Sequence, residues 1–165
     1  MSAIGGFYSR WGGPISHRFR PVLTAALNEM GPDGKSELSS EDVWMLFRPF
    51  HTERQSRLSY EPFVSHDGYL ITCDGRLDSV DEPTLLATLQ KQIVKRPLET
   101  IAATYRSFGI QGFSKLIGDF AFALWDSNQH RLILCSDFLG RRPLYFYLTR
   151  HYLAWASRAR ALAVC

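Results

Sequence analysis

Residues 118–147 read GDFAFALWDSNQHRLILCSDFLGRRPLYFY, and this stretch decides the fold. The run Phe120–Trp125 is continuously apolar and too short to span a membrane, which is typical of a strand buried on both faces. A polar turn separates it from a second apolar segment, Arg131–Cys135. Two further strands are predicted at Pro143–Leu148 and Tyr152–Ala156. Strands so closely spaced in the sequence predict the nucleus of the core.

The rest of the chain alternates predicted strands with predicted helices. Further strands are expected at Ile4–Ser9, Val43–Phe50 and Tyr69–Cys73, the last of which leads into a turn over 74–78. Helices are expected at Pro21–Met30, Thr84–Ile93 and Pro97–Phe108. The sequence contains no internal repeat and no linker-like segment. This order of elements predicts one α+β domain over residues 1–165.

Composition excludes several classes of function. The net charge is +3 and the basic residues are scattered, so nucleic-acid binding is not expected. The three cysteines show no metal-ligand spacing and the histidines lie apart, so no metal site is expected. A signal peptide and long apolar segments are missing from the sequence. We therefore expect a cytoplasmic protein without a membrane anchor.

Three segments in order, GDFAFALWD, SDFLGRRPLYF and AWASRARAL, carry a resemblance to a known family. They resemble the end of the N-terminal class II glutamine amidotransferase domain of the asparagine synthetase-like family. The GPDG at 31–34 extends the resemblance into the first third of the chain. The resemblance implies the N-terminal-nucleophile hydrolase fold, a four-layer αββα sandwich of two antiparallel sheets.

The resemblance also implies a catalytic chemistry, and the opening of this chain departs from it. Family members begin M-C-G-I-x-G, and the cysteine thiolate attacks the glutamine amide while its own α-amino group acts as the base. The present chain begins MSAIGG, which places Ser2 at the nucleophile position. A hydroxyl is far less acidic than a thiol and needs stronger activation. Ser2 is therefore interpreted as a degenerate nucleophile.

The positions that resemble the substrate pocket also differ. The N-G-E-x-x-N segment of the family, which supplies oxyanion-hole donors, aligns with Asp74-Gly75-Arg76-Leu77-Asp78-Ser79. An ionised carboxylate at Asp74 accepts hydrogen bonds and cannot donate them, so Asp74, Gly75 and Arg76 are interpreted as a vestigial pocket. The arginine that binds the glutamine carboxylate aligns with Pro49, and Arg48 lies one residue early. A one-residue shift in a strand moves a side chain to the opposite face.

The acidic S-D-x-E segment of the family aligns with Arg96-Pro97-Leu98-Glu99, where proline replaces the aspartate. A cationic ligand group would have no counter-charge at this proline. With the changes at Ser2, Asp74 and Arg48, this difference favours a domain that has lost glutaminase activity.

Within this family the pattern is most similar to β-lactam synthetases and lasso peptide cyclases, whose first domains lack the cysteine. That similarity implies a structural or substrate-positioning role beside an ATP-dependent amide-forming synthetase. The synthetase would bind ATP and Mg²⁺ and act on a peptide or a small amino-acid-derived substrate. Its S-G-G-x-D-S loop does not occur in this sequence, so the synthetase is expected on a separate or missing segment. The chain is either a fragment of a longer protein or a free-standing subunit.

Three alternatives remain open. In the first, the chain is an N-terminal-serine amidohydrolase that uses Ser2, which requires removal of Met1. In the second, it is a glutamine-hydrolysing asparagine synthetase subunit, and in the third, it is a stand-alone binding module. Local features favour ordinary structural roles. We expect Arg141 and Arg142 to be solvated and Arg76 to pair with Asp74 and Asp78 at a turn. We expect the aromatic residues of the last strands to lie in the core, namely Trp125, Tyr145, Phe146, Tyr147 and Trp155.

Overall fold

A computed structural model of the chain describes residues 1–11, 18–51, 62–84 and 96–164. The strands of these ranges are β1 Ala3–Ser9, β2 Ser36–Ser39, β3 Val43–Arg48, β4 Phe63–Val64, β5 Tyr69–Val80, β6 Leu116–Asp126, β7 Arg131–Ser136, β8 Tyr145–Leu148 and β9 Tyr152–Ala156. They form two sheets, with strand orders β2-β3-β1-β9-β8 and β4-β5-β6-β7. Every pairing is antiparallel.

Helices cover the outer faces of both sheets. Their bounds are α1 Phe19–Ala26, α2 Pro97–Phe108 and α3 Ala159–Ala163, with a 3₁₀ helix at Gly109–Lys115 after α2. Leu23 and Leu27 pack with Ala161 on the outer face of the five-stranded sheet. Ile101 and Tyr105 of α2 pack on the outer face of the four-stranded sheet. The four-layer αββα sandwich expected from the resemblance is therefore confirmed. No helix within the described ranges is both long and apolar enough to cross a bilayer.

Strand alternation decides which side chains lie between the sheets. On β3, Met45 and Phe47 belong to the clusters between the sheets, whereas Trp44 and Leu46 pack beneath α1. The same period of two on β5 directs every second side chain inward and the others towards α2. Strand β1 lies between β3 and β9, and Ile4 near its start packs with Phe47 and Ala121 between the sheets.

Several predicted elements have the observed bounds and others do not. Strand β9 and helix α2 match their predictions, whereas β6 begins at Leu116, before the predicted Phe120. Helix α1 spans Phe19–Ala26 and not Pro21–Met30, because the chain tightens into turns before the GPDG segment. The short strands β2 and β4 were not predicted. Most of the predicted helix Thr84–Ile93 lies outside the described residues.

The predicted turn over 74–78 is wrong, because β5 continues through it. Strand β5 pairs with β6 from Tyr69 to Val80, with one register shift between Leu77 and Ser79. The glycine at position 75 led to the prediction of a turn. In the structure it has φ +115°. In the molecule this glycine allows two strands to approach closely within a continuous ladder.

The prediction that the late aromatic residues are core residues is correct for the two tryptophans and wrong for the rest. Trp125 and Trp155 are fully buried between the sheets. Tyr145, Phe146 and Tyr147 are 46%, 64% and 56% exposed, because β8 is the edge strand of its sheet. Among the strands that the structure describes, β8 has a neighbour on one side only, so it presents backbone groups and apolar side chains at the sheet edge.

Candidate functional site

Ser2 lies immediately before the central strand β1, and its side chain is engaged by the backbone. The backbone N–H of Phe50 donates to Ser2 Oγ at 3.0 Å. The turn at Asp33 holds the segment around Phe50, because Asp33 donates to Pro49 O at 3.1 Å and accepts from the His51 N–H at 2.7 Å. The GPDG segment therefore positions the strand end that contacts Ser2.

Ser157, from the AWAS segment, fixes the start of β1. Its hydroxyl accepts a hydrogen bond from the Ile4 N–H at 2.9 Å, and its own N–H donates to Ile4 O at 2.8 Å. Ser157 is 2% exposed, so these bonds are shielded from water. The motif that carries part of the family resemblance thus has a structural role, because it anchors the strand that follows Ser2.

Asp74 points into the space between the sheets and is almost completely buried, with 2% of its surface exposed. Its Oδ2 atom lies 3.7 Å from Nη1 of Arg142. No described residue makes a hydrogen bond to this oxygen. The ionic partner of Asp74 is therefore Arg142, and the expected pairing of Asp74 with Arg76 is wrong.

Burial dominates the protonation of Asp74. Desolvation raises its pKa from 3.8 to about 6, although Arg142, the positive N-terminus and the Gly75 N–H all act to lower the pKa. The loss of hydration therefore outweighs three favourable contacts. Near pH 7 the group is mainly an anion that is held inside the protein at an energetic cost.

Gly75 occupies a position at which no other residue fits. A Cβ atom there would lie 2.0 Å from Asp119 O on the neighbouring strand. Its positive φ is also unfavourable for residues with side chains. The backbone N–H of Gly75 acts on the preceding Asp74 carboxylate. The segment thus keeps the glycine of the family pattern, and the donor of that glycine faces a negative charge.

Arg76 is solvent-facing and does not join Asp74. Its Nε lies 3.3 Å from Asp78 Oδ1, and the side chains are 63% and 48% exposed. The predicted pairing of Arg76 with Asp78 is confirmed, but it occurs along a strand and not at a turn. Exposed pairs of this kind contribute about 0–1 kcal/mol.

Arg48 lies on the face of β3 that packs against α1, which is the face that the one-residue shift predicts. Its Nη2 donates to Oδ1 of Asn28, two residues beyond α1, and Arg48 is 6% exposed. The structure therefore does not bring Arg48 together with Asp74, Gly75 and Ser2. The aligned Pro49 carries no charge that could replace it.

The loop between β7 and β8 supplies the counter-charge that the sequence does not reveal. Asp137 accepts hydrogen bonds from the backbone N–H groups of Phe120, Leu139, Arg141 and Arg142. Burial acts to raise its pKa, but these donors hold the pKa below its ordinary value. By fixing the loop, Asp137 positions Arg142 beside Asp74.

The expectation that Arg141 and Arg142 are both solvated is half right. Arg141 is 61% exposed and lies 3.5 Å from Asp119, whereas Arg142 turns inward and is 27% exposed. The SDFLGRR segment contains a signal for this arrangement, because an aspartate that precedes a glycine turn often accepts hydrogen bonds from the following backbone. The target of Arg142 is distant in sequence and has no comparable signal.

The segment aligned with the acidic motif begins helix α2. Arg96 Nη1 lies 2.9 Å from Glu99 Oε1, and Pro97 occupies the first turn. The remaining carboxylate of the segment is therefore paired with the adjacent arginine.

Two stacked antiparallel sheets, helices on both outer faces and a central N-terminal strand define the class II amidotransferase fold of N-terminal-nucleophile hydrolases. The solved glutamine phosphoribosylpyrophosphate amidotransferase of B. subtilis superposes with a TM-score of 0.66 and 16% identity. That alignment covers 98% of this chain and 43% of the other. The glutamine amidotransferase domain family matches residues 1–165, and the chain belongs to this family.

Two relatives of known sequence are asparagine synthetases. The chain is 29% identical over 147 residues to Bacillus subtilis glutamine-hydrolysing asparagine synthetase 2, which covers 85% of this chain. It is 38% identical over 66 residues to asparagine synthetase 1 of the same organism. The chain spans 19% and 10% of these two relatives, respectively. The similarity therefore identifies an asparagine synthetase-like amidotransferase domain.

Proposed function

We propose that this chain is a catalytically silent amidotransferase-like domain that acts beside an ATP-dependent synthetase of the asparagine synthetase type. The observation that carries the proposal is the buried carboxylate of Asp74, adjacent to Gly75 in the segment that resembles the oxyanion hole. Amide hydrolysis passes through a tetrahedral oxyanion, which requires hydrogen-bond donors. Losing one such donor typically slows catalysis by ~100- to 1000-fold, and an anion in its place adds repulsion.

The surroundings of Ser2 support the same proposal. The Ser2 hydroxyl receives the N–H of Phe50, and the Gly75 N–H acts on Asp74. The oxygen that would act as the nucleophile and the backbone donor that would face the oxyanion thus both have partners within the chain. Arg48, on the outer face of the sheet, is absent from the place where it could bind the carboxylate of a substrate.

The exposed edge strand β8 supports the proposal that the chain binds a partner protein. All four of its residues, Tyr145–Leu148, are exposed, and Phe138 and Leu139 of the preceding loop are 101% and 66% exposed. Exposed apolar side chains on an edge that pairs with no further strand of the described ranges are typical of an interaction site. Most of the length of the related asparagine synthetases lies outside the part that this chain matches. We assign the β8 edge to contact with a synthetase domain.

The finer assignment is a synthetase of the β-lactam synthetase or lasso peptide cyclase type. In this arrangement the synthetase holds ATP and Mg²⁺, and an amine within a peptide or amino-acid-derived substrate attacks the activated carboxylate. No ammonia has to be delivered, which removes the need for glutamine hydrolysis. The amidotransferase fold then acts as a support or as one wall of the substrate site.

The test measures glutamate release from glutamine by the purified chain, alone and with a synthetase domain of the asparagine synthetase type. We expect no release above that of Ser2→Ala, because Asp74 opposes the oxyanion and the Ser2 hydroxyl needs stronger activation than a cysteine thiol. Glutamate release that Ser2→Ala abolishes would contradict the proposal. Co-purification with the synthetase domain should be lost in Phe146→Asp and retained in Arg150→Gln, which changes an exposed residue outside β8.

Two further candidate functions are favoured by specific observations. The membership of the glutamine amidotransferase family favours a glutamine-hydrolysing asparagine synthetase subunit. The location of Ser2 at the start of the central strand favours an N-terminal-serine amidohydrolase with another amide substrate. The serine mechanism needs a free Ser2 amine, so an intact mass that includes Met1 would eliminate it. Hydrolysis of glutamine in the assay above would favour the first.

A further inference from the structure

A cleft on the outer face of the five-stranded sheet lies between α1 and β2. Arg20, Thr24 and Asn28 line one side, and Lys35 and Glu37 line the other. A spacing of four residues places Arg20 and Thr24 in one stripe along α1, and Asn28 continues this stripe in the turn after the helix. This polar stripe runs beside the apolar stripe of Leu23 and Leu27, which packs on the sheet.

Arg48 forms a buried cation beside this cleft. Only 6% of the surface of Arg48 is exposed. Its Nη2 donates to Asn28, which lines the cleft. Its Nε–H is buried and has no hydrogen-bond acceptor among the residues that the structure describes. Across the same described ranges, no carboxylate lies within ion-pair distance of Arg48. A buried charge without a counter-charge is strongly unfavourable unless a ligand supplies one.

Arg20 adds a second incompletely paired guanidinium. Its charged group lies 5.5 Å from the centre of the Trp44 ring, and its buried Nε–H likewise has no acceptor in the described part of the chain. The ring stabilises the positive charge but leaves the N–H donor without a partner. Arg20 lines the cleft and Arg48 contacts its lining residue Asn28, so both guanidinium groups lie beside the same cleft.

The remaining charges of the cleft do not neutralise these arginines. Lys35 lies 2.9 Å from Glu37, and Trp44 Nε1 donates to the same carboxylate at 3.2 Å. Burial acts to raise the pKa of Glu37, but Lys35, Trp44 and Arg20 lower it below its ordinary value. Glu37 is therefore ionised at neutral pH and neutralises one of the three cations, Arg20, Lys35 and Arg48.

We propose that this cleft binds a dianionic oxyanion, specifically the phosphate group of a small molecule. The excess of two positive charges matches a phosphate dianion, and guanidinium groups bind such oxygens through paired N–H donors. The ligand would be bound by the guanidinium group of Arg20, which lines the cleft, and by that of Arg48 beside it, with Asn28 and Thr24 at the side. The cleft is on the opposite face of the five-stranded sheet from the space that contains Asp74. This binding is separate from the proposed amidotransferase-like role.

The test is calorimetric titration of inorganic phosphate at constant ionic strength, with sulfate and acetate as parallel ligands. We expect saturable binding of phosphate and sulfate and weaker binding of acetate, which carries one charge. Arg48→Met and Arg20→Gln should each weaken phosphate binding at least ~10-fold, since each removes a charge-assisted hydrogen bond. Arg150→Gln, which changes an exposed arginine outside the cleft, should stay within ~2-fold.

Thermal unfolding distinguishes lost binding from lost folding. Without phosphate, Arg48→Met should unfold at or above the wild-type temperature, because it removes an uncompensated buried charge. Phosphate should raise the unfolding temperature of the wild type and not that of this variant. If Arg48→Met does not fold, Lys35→Gln replaces it, because Lys35 is 56% exposed. Absence of saturable phosphate binding, unchanged binding in the cleft variants, or tighter binding of acetate would overturn the proposal.

Discussion

Replacing Gly75 with alanine should lower the free energy of unfolding by about 3 kcal/mol or more. The new Cβ would lie 2.0 Å from Asp119 O, which belongs to the backbone of β6 and cannot move aside as a flexible side chain can. The φ of +115° adds backbone strain. Chemical denaturation of the purified variant, or loss of soluble protein at expression, measures the effect.

Gly140→Ala is the matched control for this substitution. Gly140 also has positive φ, at +62°, but a Cβ atom there would meet nothing within 4 Å. Gly140→Ala should lower the free energy of unfolding by about 1 kcal/mol, from backbone strain alone. Equal destabilisation of the two variants would show that the close approach of β5 and β6 at Gly75 has no energetic weight.

Asp74→Asn should stabilise the protein at neutral pH, by about 1–3 kcal/mol. The folded-state pKa of Asp74 is about 6, above the ordinary value of 3.8, so the folded state binds more protons between these values. Stability conferred by the protonated form is therefore present below about pH 4 and lost as the pH rises through 6. The full difference corresponds to about 3 kcal/mol, reduced here because Arg142 loses its counter-charge.

The measurement is urea denaturation of wild type and variant between pH 4 and pH 8. The stabilisation by asparagine should be small near pH 4 and reach its largest value above pH 7. Asp78→Asn changes a 48%-exposed carboxylate two positions beyond Arg76 and should stay within about 0.5 kcal/mol at every pH. Parallel pH curves for wild type and Asp74→Asn would contradict the buried-carboxylate account.

The pKa of Asp137 is shifted in the opposite direction to that of Asp74, so Asp137 provides an internal comparison. Its pKa is lowered by four backbone donors, so it contributes stability above its unfolded pKa that is lost as the pH falls. The acid limb of the wild-type curve therefore belongs to Asp137 and similar groups, whereas the decline from pH 4 to pH 7 belongs to Asp74. The two effects occur in different pH windows.

The sequence predicted much of the fold because the decisive signals are local. The apolar alternation of Tyr152–Ala156 and the proline-led pattern of Pro97–Phe108 each define an element by neighbouring residues alone. Strand β5 was cut short in the prediction because Gly75 reads as a turn. Whether such a glycine bends the chain or admits a second strand depends on β6, which is distant in sequence.

The site was less accessible to sequence reasoning. Ser2 and Asp74, at positions where the family that the chain resembles has cysteine and asparagine, are visible in the sequence itself. The contact between Asp74 and Arg142 depends on the β7–β8 loop, which the hydrogen bonds of Asp137 hold in place. The exposure of Tyr145–Tyr147 likewise follows from the place of β8 at the sheet edge. Aromatic composition alone favours a core strand.

The central claim is that the N-terminal pocket neither holds nor cleaves glutamine. The most direct measurement is intact-mass spectrometry after incubation with an electrophilic glutamine analogue that alkylates an N-terminal nucleophile and expels a leaving group, which leaves a stable adduct. The glutamine-hydrolysing asparagine synthetase 2 of Bacillus subtilis is the positive control. We predict a stoichiometric adduct on the control and no mass increase on this chain. An adduct located on Ser2, and missing from Ser2→Ala, would contradict the account.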